Sequence, residues 1–263
     1  MTDEQNQVLV EQKGFACHVT INRAKEHNTM TDVVMAQLRQ ALLDAEAMQG
    51  VRAIVITGAG EQTFCAGGKL KPTTDGSPFA LEPGRFDNPI ADLFRAMDRC
   101  NLPIIARVNG GAFGGGVGLV CACDFAIAAD NAKFGTTEAR VGVFPMMILP
   151  LLMRVIPRRR LQEMCFLAER FSAEDALRLD IVNQVVPAEQ LDLAVEGLIG
   201  KLAANSPLAL RMGRRAFSAM TDLSLADALN LAQALLPVMS QSEDTREGMR
   251  AFAAKRAPNW TNR

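Results

Sequence analysis

Six of the nine residues from Gly110 to Gly118 are glycine, and they stand between two stretches apolar enough to be buried. Upstream runs PIIARVN (103–109), short and strand-like; downstream runs LVCACDFAIAAD (119–130). Glycine is poor in helix and strand interiors, so a cluster this dense needs unusual dihedrals or a close approach of backbone to something else. A strand, a glycine turn and the start of a buried helix leave unpaired N–H groups at a helix N-terminus. That arrangement suits an anion, or the negative oxygen that develops in a transition state. The plainer reading is tight packing of a helix on a sheet. From this segment alone both readings stand.

The rest of the chain sets the cluster in an α/β context. Short β-like runs recur at CHVTIN (17–22), VRAIVITG (51–58), PIIARVNG (103–110), DFAIAAD (124–130) and IVNQVVP (181–187). Between them lie helical patterns, clearest at residues 31–48, where apolar positions recur at three and four and Thr31 can cap. Strands alternating with helices predict an α/β core. The runs at 51 and 103 both end in glycine and lead into glycine-rich loops, a weak internal repeat. From Ala188 onward the pattern is helical almost to the end, with Asp244 and Glu247 spaced as a capping box. These helices carry too many apolar positions for a solvated tail and are expected to pack on the core or on another subunit. Residues 71–89 are rich in Pro, Gly, Asp and Thr, as in a loop over a site or a plain surface excursion.

Composition removes several function classes. With 28 basic against 29 acidic residues there is no global pull toward nucleic acid or a membrane. No apolar stretch is long enough to span a bilayer, and the opening MTDEQNQV is unlike a signal peptide, so a cytoplasmic location is expected. The six cysteines lack a CxxC pair and lie in apolar surroundings, as buried thiols do. Cys121 and Cys123 with only two histidines, His18 and His27, do not make a metal site. A nucleophilic Cys65 would need a base that the sequence does not offer. The glycines fit G-x-G-x-x-G in no register, and Gly68-Lys69 fails as a phosphate loop because Thr63 stands where glycine is required. The triplet Arg158, Arg159 and Arg160 reads as a solvated helix start.

What remains is two glycine-rich loops after strands, TFCAGGKL (63–70) and NGGAFGGGVG (109–118). One N–H from each can converge on a single oxygen, an arrangement worth roughly 3 kcal/mol per donor in acyl chemistry. Beyond them FGTTEARVGVFPMM places one carboxylate, Glu138, among apolar residues. Desolvation raises a carboxyl pKa toward the range useful for proton transfer near neutrality, although a lone loop glutamate is more often a cap or an ion-pair partner.

The order of the motifs adds a second line of argument. NRAKEHNTM (22–30), FCAGGKL (64–70), NGGAFGGGVGLVCACD (109–124), AKFGTTEARVG (132–142), RFSAEDALRLDIVNQVVP (170–187) and REGMRAFAAKRAPNW (246–260) resemble the crotonase family of enoyl-CoA hydratases and isomerases. The resemblance runs unbroken from about Val8 to Trp260. It implies a spiral of ββα units over residues 1–195 and a helical oligomerisation region over 196–263, assembled as a trimer or dimer of trimers. It also implies an acyl-CoA thioester substrate, coenzyme A being part of the substrate and no separate cofactor being needed. The enolate oxygen would be held by the amides of Gly68 and Gly115, and Glu138 would match the family's second catalytic glutamate. Lys25, Ala66 and Lys69 fall on the coenzyme A-binding stretch. Phe252 and Lys255 match terminal residues that approach the nucleotide end, often from a neighbouring subunit.

Three departures bear on the reaction. The family's first glutamate falls here on Gly118, so a two-carboxylate clamp on water is missing. The aspartate common after the A-G-x of the first loop is Lys69, which suits a phosphate or a carboxylated acyl tail. The glycine-rich wall after the family's proline reads Pro145-Met146-Met147-Ile148-Leu149, bulkier and more apolar. One carboxylate suffices to move a proton between two carbons, which favours a 3,2-enoyl-CoA isomerase. The loop GAFGGGVGLV is similar to that of hydratases of branched or carboxylated substrates that also lack the first glutamate. Reversible hydration of a 2-enoyl-CoA is therefore the leading expectation, isomerisation the second, and a non-catalytic acyl-CoA binder the reading from another class.

Overall fold

In a computed structural model of the protein, the residues described are 6–68 and 88–263. In chain order the strands are β1 (Val8–Lys13), β2 (Ala16–Ile21), β3 (Ala53–Gly58), β4 (Thr63–Cys65), β5 (Ile104–Val108), β6 (Gly111–Phe113), β7 (Phe125–Ala129), β8 (Lys133–Gly135), β9 (Phe171–Ser172) and β10 (Gln184–Val186). The α-helices are α1 (Asp32–Ala47), α2 (Pro89–Arg99), α3 (Gly115–Cys121), α4 (Leu149–Val155), α5 (Arg158–Leu167), α6 (Ala173–Arg178), α7 (Leu191–Ala203), α8 (Pro207–Met220), α9 (Leu225–Ser240) and α10 (Glu243–Ala253).

Strands alternate between two sheets. The larger runs β1-β2-β3-β5-β7-β10 and the smaller β4-β6-β8-β9. Each pair β3/β4, β5/β6 and β7/β8 therefore gives one strand to each sheet before a helix returns the chain, and this repetition builds the ββα spiral. Within the large sheet β2, β3, β5, β7 and β10 are parallel, and only β1 is antiparallel to its neighbour. Parallel sheets are covered on both faces and read as continuous apolar runs. In β3 (AIVITG) every residue is buried. Its Ile54 and Ile56 join a core with α1 and the small sheet, whereas Ala53 and Val55 face the opposite way into a second core beneath α7.

Helix starts follow local chemistry. Thr31 caps α1, its hydroxyl accepting the Val34 N–H at 3.2 Å, as the sequence predicts. Asn88 caps α2 by accepting from Ile90 and Ala91, with Pro89 in the first turn. The proline- and glycine-rich run is thus helical in its last residue, while 71–87 lie outside the described residues. The expected capping box at Asp244 is not the one used. Ser242 caps α10, and the Asp244 carboxylate instead accepts N–H groups of Thr261 and Asn262 from the folded-back tail. A complete capping box does occur at α6, between Ser172 and Asp175.

The expected division after residue 195 falls inside α7, which packs on the large sheet through Leu191, Val195, Ile199 and Leu202. Exposure changes after that helix, since α8 and α9 contain no buried residue. Arg214 fastens α8 to the core, donating to the Met97 and Asp98 carbonyls at the C-terminus of α2 and to Asp124. A cation at that end of a helix is also favoured by its dipole. Among the described residues no helix is long and apolar enough to cross a membrane.

Candidate active site

The two glycine loops meet at the start of α3. β4 and β6 are parallel neighbours in the small sheet, so the turns that leave their C-terminal ends lie side by side. The approach is so close that a Cβ added to Gly67 would lie 2.8 Å from the Phe113 oxygen and 2.9 Å from the Gly115 nitrogen. One added to Gly115 would lie 3.4 Å from the Gly68 nitrogen. Gly67 (φ +87) and Gly114 (φ +51) hold the left-handed backbone that aims these turns, a conformation costly for any residue with a side chain. The Gly115 N–H belongs to the first turn of α3, where helical partners are lacking. Neither it nor the Gly68 N–H has a hydrogen-bond acceptor among the described residues.

Glu138 stands at the same place. It opens a short 3-10 turn (Glu138–Val141), and a Cβ on Gly114 would lie 2.9 Å from its Oε1 and 3.3 Å from its carboxyl carbon. Oε2 is buried without a hydrogen-bond partner among the described residues. Burial pushes the Glu138 carboxyl above its ordinary value, with a smaller opposing contribution from a backbone N–H. A buried polar oxygen without a partner is expensive, so this one, with two donors that also lack partners among the described residues, does not serve stability.

A set of hydrogen bonds holds the first loop in position. Ala66 donates to the His27 carbonyl at 3.0 Å, and Met30 donates to the Gly67 carbonyl at 2.8 Å. Between them Asn28, wholly buried, donates to Ala59 and Thr63 carbonyls and accepts from Arg23 N. Asn109 does the same for the second loop, bonding Gly58 in both directions and reaching the Gly60 carbonyl. Neither asparagine, nor Met30, whose Sδ-methyl faces Gly115, stood out in the sequence. The available signal was Asn28 itself, which has φ +52 in a stretch without glycine, where asparagine is among the few tolerated residues.

The structure thus brings Gly68, Gly115, Ala66 and Glu138 together. Lys25 is exposed on the 3-10 turn Ala24–Glu26, next to His27, through which that turn is bonded to Ala66. Phe252 (83% exposed) and Lys255 lie at the end of α10 and make no hydrogen bond or ion pair with the Gly68, Gly115 and Glu138 group. Lys69 lies outside the described residues. In the wall after Pro145, Met146 does not face inward but is 66% exposed, and the buried residue is Ile148 at 2%. Burial pushes the thiols of Cys65 and Cys121 up to about 12, so neither is a thiolate near neutrality. Among the described residues no three His, Cys, Asp or Glu side chains stand together as a metal site would require.

Comparisons with known proteins point to one family. The family profile described as enoyl-CoA hydratase/isomerase matches residues 11–263. An (E)-benzylidenesuccinyl-CoA hydratase from Thauera aromatica is 34% identical over 260 residues, covering 95% of this chain and 97% of its own. A short-chain-enoyl-CoA hydratase from Clostridium acetobutylicum is 30% identical over 259 residues, covering 96% and 97% respectively. The crystal structure of an enoyl-CoA hydratase from Mycobacterium smegmatis superposes with a TM-score of 0.88 at 30% identity, over 97% of this chain and 99% of that one.

Proposed function

The chain belongs to the enoyl-CoA hydratase/isomerase family, and from that premise we propose that it adds water reversibly across the double bond of a 2-enoyl-CoA thioester. The observation that carries this reading is the meeting of three groups without a hydrogen-bond partner among the described residues, the N–H groups of Gly68 and Gly115 and the buried Oε2 of Glu138. With the thioester oxygen between the two amides, electron density displaced from the double bond collects where donors already point, without reorganisation. Glu138 takes a proton from water as the water oxygen bonds to the β-carbon, then returns that proton to the α-carbon of the enolate. Hydroxyl and hydrogen are both delivered and the carboxylate is restored. Its raised pKa suits both halves of the exchange.

The coenzyme A portion is proposed to lie along Lys25, Ala66 and Lys69, with Phe252 and Lys255 reaching the nucleotide end. Exposed apolar side chains on the last three helices, among them Phe217, Leu225, Leu236 and Phe252, support assembly through this region as a trimer or a dimer of trimers. Light scattering of the purified protein reads that number directly. A cytoplasmic location completes the proposal.

One observation favours isomerisation as a second reading. Gly118 supplies no second carboxylate, and one proton shuttle is sufficient to move a double bond. The two are separated by giving crotonyl-CoA and a 3-enoyl-CoA to the wild type and to Glu138→Gln. Hydroxyacyl product from crotonyl-CoA, lost in the variant, supports hydration. Conversion of the 3-enoyl thioester alone, with no hydroxyacyl product, makes the enzyme an isomerase. Equal turnover by the variant removes Glu138 from its role, and binding without any turnover leaves an acyl-CoA binder.

A further inference from the structure

The segment from Glu138 to Ile148 runs alongside α3, with its first residue against Gly114 and its last against Gly118. At 1.5 Å per residue these two contacts are about 6 Å apart along the helix. A Cβ on Gly118 would lie 2.2 Å from Cγ2 of Ile148, 2.7 Å from its Cβ and 3.4 Å from Cζ of Phe94. Ile148 and Phe94 are 2% and 7% exposed, so hydrocarbon from α2 and from the entry to α4 fills the space beside Gly118, one helical turn beyond Gly114. Ile148 is also fixed in place. Its N–H donates to the Pro145 carbonyl, its own carbonyl accepts from Leu151 and Leu152, and its branched Cβ restricts rotation.

Resting on the acyl-CoA reading above, we infer that Ile148 is a specificity-determining residue, which closes the acyl site on the Gly118 side and limits the length of the acyl group. Glu138 and Ile148 then divide one strip of chain between them, the first serving the reacting carbons and the second the tail beyond them. Hydrocarbon without a polar partner on this wall selects an apolar substituent. Its bulk selects a short one. One methylene in such a wall discriminates by about 10- to 200-fold.

The test compares kcat/KM for four-carbon and six-carbon 2-enoyl-CoA in the wild type, Ile148→Val and Ile148→Ala. The expected result is a six-to-four-carbon ratio that rises about tenfold or more in Ile148→Ala and by less in Ile148→Val, which keeps the branched shape and the fold. A ratio unchanged in both variants, with the two substrates falling together, overturns the proposal and leaves Ile148 a packing residue. Calorimetric binding of butanoyl-CoA and hexanoyl-CoA to the same proteins needs no turnover. If no enoyl-CoA is hydrated, the hydratase reading fails while the affinity ratio still decides the role of Ile148.

Discussion

Gly114 and Gly118 lie four residues apart at α3, yet what faces each differs in kind. Against Gly114 lies a carboxylate with one buried oxygen that has no partner among the described residues; against Gly118 lie the carbons of Ile148 and Phe94. The second contact is close apolar packing, which carries no cost in stability. The first opposes stability, because a buried carboxylate oxygen without a partner among the described residues is held at a cost. Two missing side chains on one helix thus do separate things: one admits a reactive group, and the other admits hydrocarbon. The reaction is expected to depend steeply on the Gly114 end and only through fit on the Gly118 end.

The largest effect expected is that of Glu138→Gln, a fall in kcat of about 10²- to 10⁴-fold, the usual worth of a positioned proton shuttle. Acyl-CoA affinity should hold near the wild-type value, since the amide keeps the shape of the acid. Steady-state kinetics beside calorimetry reads both, and a loss of affinity equal to the loss of rate would erase the distinction between the two ends of α3. In the wild type, activity in the hydration direction should fall with decreasing pH through a midpoint above the ordinary carboxylate value of 4.5, because burial raises the Glu138 carboxyl. A limb at or below that value would mean that Glu138 is solvated in the working enzyme.

Next in size is the Gly115 amide. Gly115→Pro deletes the N–H, whereas Gly115→Ala adds a Cβ and keeps it; in both, Met30 at the flexible end of its side chain must shift. Proline is tolerated in the first turn of a helix, so the comparison isolates the donor. Its kcat should lie about 10²- to 10³-fold below that of the alanine variant. Equal losses would make Gly115 a packing glycine like Gly118.

How far all this was visible in the sequence depends on the length scale of each signal. Strands β2, β3, β5, β7 and β10 announced themselves as apolar runs because both faces of a parallel sheet are covered. The strands of the small sheet did not: β4, β6 and β8 are three residues each, too short for alternation, and two of them contain glycine. Gly68, Gly115 and Glu138 are local features of their loops, and the order of motifs was enough to relate them. Ile148 was marked only as one of several apolar residues after Pro145; it and Phe94 are 54 positions apart and meet across Gly118 only once α2 and α4 are packed. Asp244 and Glu247 misled for the opposite reason. Their spacing matches a capping box, but the chain end folds back and takes the Asp244 carboxylate for itself.

At the Gly118 end the expected effect is on stability. Gly118→Ala forces a Cβ into Ile148, and overpacking of this kind costs about 1–3 kcal/mol. Ile148→Ala alone leaves a cavity. Combined, each change relieves the other, so the double variant should be more stable than the sum of the two losses predicts. Denaturant titration of the four proteins gives the coupling. Strict additivity would mean that position 118 and Ile148 do not share the space assigned to them.

The smallest effect returns to Glu138, now read as a structural cost. Its carboxyl pKa is raised in the folded protein, so folding is favoured while the group is protonated, and that contribution is lost as pH rises through the folded value. Above the folded value the penalty is fully in place for the wild type and absent from Glu138→Gln. The variant should therefore melt higher there, by a few degrees at most, since about 1 kcal/mol moves Tm by 2–4 °C in chains of this size. Well below pH 4.5 both side chains are neutral in the folded and unfolded chain alike, and the gap should close. A variant less stable than the wild type above the folded value would mean that the carboxylate has a partner in solution, and the contrast between the two glycine contacts would then rest on shape alone.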